Sequence, residues 1–163
     1  GKYTADALPL TRRVVKEALR LYPPAPMLVR TANKALSLGG HRVRAGQSVA
    51  ISIYAMHRHR KLWVAPDTFD PDRFLTDRSA SNPAWMPFGT GPRMCIAAQF
   101  ALTEIMVIIS SLLAELEFEP LGPTPQVMLQ VTARSSNGLS VTARRRDPLT
   151  APALRAIEPA ANC

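Results

Sequence analysis

Apolar side chains recur along this chain with two different spacings, and the alternation between them sets out its elements. Over Leu8 to Leu21, Leu10, Val14, Ala18 and Leu21 fall on one face at helical spacing. Pro9 suits the first turn of such a helix, and Pro23-Pro24 stops it. From Pro24 to Ile53 the spacing shortens to that of strands. Ala35-Leu36-Ser37-Leu38, Gly39-Gly40 and His41-Arg42-Val43 predict a hairpin closed by a Gly-Gly turn. Ser48 to Ile53 predicts a further strand with Val49, Ile51 and Ile53 on one face. Trp63, Pro66, Phe69, Phe74 and Trp85 then mark an irregular aromatic and proline-rich meander that only packing can hold.

The helical period returns over Ile96 to Leu116, where Ala98, Ala101, Leu102, Ile105, Ile108, Ile109, Leu112 and Leu116 make a broad stripe expected to be mostly core. Phe118-Glu119-Pro120 is expected to end that element. A strand at Val127 to Thr132, a turn at Ser135-Ser136-Asn137-Gly138 and a return strand at Leu139 to Ala143 come next. Pro148, Pro152 and Pro159 among alanines read as a tail or linker over 147–163, leaving 1–146 as one domain. The mixture is an α+β class, mainly helical with small sheets, and no internal repeat interrupts it.

With 163 residues, 47% hydrophobic and 20% charged, the chain is long enough for a real core and too apolar to be disordered. Its net charge of +8 arises from scattered arginines with one cluster, Arg144-Arg145-Arg146. Nucleic-acid binding is not supported, because aromatics are only 6% and no basic stripe interleaves with them. An acidic electron-transfer partner would suit the same charge, as would an ordinary solvated surface. Two cysteines, Cys95 and Cys163, make no disulfide framework or zinc motif. No stretch approaches the ~18 consecutive apolar residues of a membrane span, and no signal peptide opens the chain. A cytoplasmic location is the expectation. The sequence starts without a methionine, so the absence of an N-terminal anchor says nothing for or against a membrane.

One stretch concentrates the chemistry: Pro87-Phe88-Gly89-Thr90-Gly91-Pro92-Arg93-Met94-Cys95-Ile96-Ala97, directly before the long helix. The positive end of a helix favours a thiolate at such a cysteine. Gly89 and Gly91 let the backbone bend close to a flat ligand, and Arg93 offers a cation to a carboxylate. A buried, inert cysteine after a glycine turn is the plain alternative. Phe88-Gly89-x-Gly91-x-Arg93-x-Cys95-x-Ala97 resembles the cysteine-loop signature of the cytochrome P-450 family of haem-thiolate monooxygenases, with Ala97 where the family usually has glycine. Glu17-Ala18-Leu19-Arg20 resembles its ExxR motif, and Pro71-Asp72-Arg73-Phe74 its P-E-R-F segment with Asp for Glu. His57-Arg58-His59 resembles its H-R-D turn, with His59 for Asp, so both histidines read as structural rather than as a metal pair.

The resemblance covers about residues 8 to 145 and implies the C-terminal part of that fold. It implies Cys95 as the axial ligand of haem iron, donating electron density that favours O–O cleavage. Phe88, Gly89, Gly91, Arg93 and Ala97 would lie against the haem, and Arg30 would bind a propionate, though a surface arginine at a strand edge fits its sequence equally well. Glu17, Arg20 and Arg73 would form a buried charge network. Pro26, Met27 and Leu28, together with Thr132 and Ala133, would line the substrate side. The implied reaction inserts one oxygen atom of O2 into a small apolar organic substrate, with electrons from NAD(P)H delivered by a reductase or ferredoxin-type donor. No counterpart of the family's central helix with its acid–alcohol pair is present, so the chain is expected to be a fragment, inactive alone. A non-catalytic haem-binding module, or an interaction domain with an inert thiol, are the competing readings.

Overall fold

A computed structural model describes residues 8–75 and 82–147. The proline-rich stretch from 148 and Cys163 lie outside the described residues. The chain runs as helix α1 (Pro9–Leu21), strands β1 (Met27–Thr31), β2 (Leu36–Leu38), β3 (His41–Val43) and β4 (Ser48–Ser52), and a single helical turn α2 (Ile53–Met56). Two 3-10 turns, Pro71–Phe74 and Gly91–Arg93, lead to the long helix α3 (Ala98–Glu115), and strands β5 (Leu116–Leu121), β6 (Val127–Leu129), β7 (Ala133–Ser135) and β8 (Ser140–Arg145) complete it. Among the described residues the strands form four antiparallel pairs: β1 with β4, β2 with β3, β5 with β8 and β6 with β7. The α+β class is as expected.

The β2–β3 hairpin turns on Gly39 and Gly40, with φ of 55° and 84°. Two successive left-handed residues are what a two-residue hairpin requires, and only glycine accepts them without cost. Ile53 departs from its predicted place. Ser52 caps α2 by accepting the Ala55 N–H, which lifts Ile53 off the strand and buries it completely.

In α1 only Leu21 of the apolar stripe seen in the sequence is buried, with Val14 and Ala18 half-buried. Leu10 is exposed, whereas Val15 and Leu19 are buried against Met106 of α3, and Lys16, Glu17 and Arg20 are buried beside them. Leucines and valines define the stripe, but buried charges redirect the helix. Trp85 and Phe88 pack on the same core, and Trp85 also joins a second cluster of Trp63, Phe74 and Ala84. The Trp85 indole N–H donates to the Lys16 carbonyl at 3.1 Å, fastening the meander to α1.

Helix α3 corrects two further expectations. Of its stripe only Ala98 is buried, with Met106 outside the stripe; Ile108 and Leu112 are exposed, as are Phe100 and Leu113 beside them. At 18 residues it is also long and apolar enough, by length and composition alone, to cross a membrane. It packs on α1 through Leu102, Ile105, Met106 and Ile109. Its last turn is held by Arg146, which donates to the Leu113 carbonyl at 2.7 Å and to Glu117 at 3.1 Å.

Phe118-Glu119-Pro120 is not a stop but part of β5, which pairs with β8 from Leu116↔Arg145 to Leu121↔Ser140. Pro120 is tolerated because a two-stranded ribbon leaves one edge of each strand unpaired. The expected hairpin across Ser135–Gly138 is accordingly replaced. β6 turns back through Gln130–Thr132 to pair with β7, and the return strand, Ser140 to Arg145 rather than Leu139 to Ala143, joins β5 instead.

Among non-glycine described residues, Ala65 alone has a positive φ, 43°. A left-handed alanine costs roughly 1–2 kcal/mol, part of which glycine returns through unfolded-chain entropy. Ala65→Gly is therefore expected to stabilise the fold by about 0.5–1 kcal/mol, read as a rise in the urea midpoint.

Candidate functional site

Glu17 and Arg20 sit one helical turn apart on α1 and are both fully buried. The Arg20 guanidinium donates through Nε and Nη2 to the two carboxylate oxygens of Glu17, at 2.7 and 2.8 Å. Its other donors reach main-chain carbonyls: Nη1 to His57 and Pro66, each at 2.7 Å, and Nη2 to Thr68 at 3.1 Å. All five N–H groups are thereby used, the full capacity of an arginine. Glu17 Oε1 also accepts the Asp70 N–H at 2.9 Å and Arg73 Nε at 3.3 Å. Arg73 in turn donates to the carbonyls of Val64 and Ala65 at 2.6 and 3.2 Å. The three residues drawn together by the two motifs meet in one network, and its outer ends grip the meander by its backbone.

His57, also fully buried, joins this network to the segment that carries Cys95. Its Nε2 lies 3.0 Å from the Met86 N–H, so that nitrogen must accept, and Nδ1 must carry the proton it donates to the Arg20 carbonyl at 2.9 Å. The ring is neutral. Burial lowers its pKa to about 4, against the opposing hydrogen bond to Arg20, with help from the positive charges of Arg20 and Arg58. His59 is exposed and accepts from the Lys61 N–H, its one side-chain bond among the described residues. The sequence identified His57 as structural but gave no sign of its partners, which are main-chain groups.

Met86 opens the cysteine loop. The Met86 carbonyl accepts the Gly89 N–H at 3.0 Å, and the Phe88 carbonyl accepts the Cys95 N–H at 2.9 Å, closing the loop on itself. Gly89 and Gly91 take φ of 74° and 72°. A Cβ on Gly89 would stand 3.3 Å from Leu28 Cδ1, whereas one on Gly91 would meet nothing within 4 Å. Backbone conformation thus favours glycine at both positions, and close approach adds to it at Gly89. Phe88 is anchored in the α1–α3 core. Cys95 lies just beyond the second 3-10 turn, three residues before α3, and is exposed with no disulfide partner. Ala97 caps α3 from an exposed position, while Ala98 turns into the interior.

The Leu28–Gly89 approach brings β1 against the loop. Alternate residues of a strand share a face, so Arg30 projects on the same side as Leu28, and Met27 on the other. Among the described residues Arg30, which is exposed, donates to the Val29 carbonyl alone, and Arg93, also exposed, makes no hydrogen bond. The Ala133 N–H donates to the Pro24 carbonyl at 2.9 Å, seating the β6–β7 turn with Thr132 beside the segment that carries buried Pro26. An accessible thiol, two exposed guanidinium groups that make no ion pair with a described residue and a bordering apolar wall at Leu28 fit a flat, apolar ligand with an anionic edge. Among the described residues no three His, Cys, Asp or Glu side chains gather as a metal site.

Comparison with known proteins agrees with this geometry. The family model described as cytochrome P450 matches residues 4–142, and the chain belongs to that family. Cytochrome P450 4A10 of Mus musculus is 38% identical over 137 residues, 82% of this chain and 27% of its own length. The taurochenodeoxycholic 6 alpha-hydroxylase of Sus scrofa is 36% identical, covering 86% of this chain and 28% of that protein. Among solved structures, the cytochrome P450DA heme domain superposes with a TM-score of 0.78 at 34% identity, over 86% of this chain and 32% of that one. The retinoic acid-bound cyanobacterial CYP120A1 gives 0.80 at 27% identity, over 86% and 33%. The chain spans little more than a quarter of the length of the curated relatives it matches. Members of this family are haem-dependent monooxygenases that work with redox partners.

Arg20→Met should strand Glu17 without its bidentate partner and cost about 3–5 kcal/mol in a denaturation curve. Arg20→Lys should recover little of this, since three donors on one nitrogen cannot replace five on a planar fork. The neutral His57 predicts a pH effect. As pH falls, the unfolded chain protonates this ring near 6.5 and the folded one only near 4. Its contribution is therefore complete above pH 6.5 and is lost progressively down to pH 4, up to about 3 kcal/mol. Urea midpoints taken across that window should fall in the wild type, and more shallowly in His57→Gln.

Proposed function

We propose that this chain supplies the thiolate-bearing side of a haem monooxygenase that inserts one oxygen atom from O2 into an apolar organic substrate. The observation that carries the proposal is Cys95, exposed at the end of a self-closed glycine loop, in a chain whose family uses haem. In this reading the Cys95 sulfur, as thiolate, would bind the haem iron. Arg93 and Arg30 hold the propionate carboxylates as charge-assisted partners. Gly89, where a Cβ would press on Leu28, would keep the backbone clear of the haem, and the Leu28 side of β1 with Thr132 and Ala133 would border the substrate. The bound haem supplies the oxygen activation. The protein's part is to fix the sulfur, shield it and neutralise the ligand's acidic rim.

Electrons would come from NAD(P)H through a reductase or ferredoxin-type donor, as is usual in the family. The chain's share of its relatives' length, and the exposed apolar side of α3, support the further reading that additional protein completes the pocket. On that basis the 163 residues alone are expected to show no substrate-dependent turnover.

In the haem-loaded protein containing this chain, the reduced, carbon monoxide-bound spectrum should carry the band of thiolate ligation. Cys95→His should remove that band while haem is retained through a nitrogen ligand. A thiolate band that survived the substitution would refute Cys95 as ligand.

A further inference from the structure

We propose that His57 is a positioning residue for the cysteine loop, setting its entry through the single hydrogen bond that Nε2 accepts from the Met86 N–H; this rests on the reading of Cys95 as the haem ligand. Two fixed points define the geometry. On one side, the imidazole N–H is tied to the Arg20 carbonyl at 2.9 Å, and Arg20 is immobilised by five hydrogen bonds. On the other, the Met86 peptide is the last residue before the loop proper: its N–H donates to Nε2 at 3.0 Å and its carbonyl accepts the Gly89 N–H at 3.0 Å. The next bond in the series, from the Cys95 N–H to the Phe88 carbonyl, sets the sulfur-bearing residue. His57 thus passes the position of α1 to the cysteine through its ring, the Met86 N–H bond to Nε2 and two main-chain bonds.

The ring itself has little freedom. It is fully buried, its edge meets Trp63 at 6.3 Å between centroids, and the charged groups facing it are the guanidinium groups of Arg20 and Arg58. Both are cations, so both hold the ring in the neutral form whose Nε2 lone pair the Met86 N–H requires. No carboxylate is among the groups that perturb it. A proton on Nε2 would turn acceptor into donor and set two N–H groups against each other.

Two amide substitutions separate positioning from plain stability, because each retains one half of the imidazole's bonding. The Gln side chain reaches the Nε2 position and can accept from Met86. The Asn side chain reaches only the Nδ1 position and can donate to the Arg20 carbonyl. In the haem-loaded protein at neutral pH, His57→Gln should keep most of the thiolate band in the reduced, carbon monoxide-bound spectrum. His57→Asn should lose it at least several-fold at equal haem content, even where the two have the same thermal midpoint. Equal thiolate fractions in the two variants, or a fraction that simply tracks the midpoint, would overturn the proposal.

Should either variant fail to fold, the wild type provides the second test. Acidification from pH 6.5 towards 4 should diminish the thiolate band while haem is still bound, and reversal to neutral pH should restore it. Haem release with no earlier change in the band would overturn the role of His57. A wild type that binds haem with no thiolate band at any pH would instead remove the underlying reading of Cys95.

Discussion

The buried contact between Glu17 and Arg20 decides the rest of the structure. A carboxylate and a guanidinium removed from water each lose several kcal/mol of hydration, and their mutual attraction recovers this only if every remaining donor and acceptor is satisfied. Here the requirement is met by backbone from residues 57 to 70, not by further side chains from α1. A stretch with almost no regular hydrogen bonding of its own acquires a defined path because the arginine needs its carbonyls. Arg73 repeats the arrangement from the opposite side. The same demand explains why α1 buries a charged face and leaves Leu10 in solvent.

From that network order spreads to the cysteine loop by two routes of different character. One is polar and directional: Arg20 to His57 to Met86. The other is apolar: Trp85 and Phe88 sit on the α1–α3 core, and Trp85 also closes the cluster of Trp63, Phe74 and Ala84. Lys16 extends its stem between these rings, with its ammonium 5.6 Å from Phe74 and 5.5 Å from Trp85. The loop is therefore clamped at its start, while Arg93 and Cys95 at its far end stay accessible. Rigid entry and open exit suit a loop that must present a sulfur to a ligand without reorganising.

Much of this was legible in the residues. The ExxR spacing, the Pro-Asp-Arg-Phe segment and the cysteine stretch each identified side chains that the structure places in one connected region. Hydrophobic spacing found α1, the β2–β3 hairpin and α3, because local periodicity and a Gly-Gly turn are properties of short windows. It failed where the partner is distant. Whether Leu139 to Ala143 joins β6 or β5 depends on which strand is within reach, and the strong turn at Ser135–Gly138 gave no information on that. Pro120 looked like an end because a proline in a central strand would be one. The buried face of α1 and the role of His57 were hidden for a related reason. Their partners are main-chain atoms, and a carbonyl oxygen has no signature in the sequence.

Reliance on main-chain acceptors also limits how this region can vary. His57, Val64, Ala65, Pro66 and Thr68 all contribute carbonyl oxygens to arginines. A guanidinium that binds carbonyls is sensitive to the course of the chain but indifferent to most of the side chains mounted on it. Exposed Val64 and Thr68 could be exchanged widely at little cost, whereas inserting or deleting one residue between them would shift the carbonyls of Ala65, Pro66 and Thr68 out of register with those of His57 and Val64. The segment is tolerant of spelling and intolerant of length.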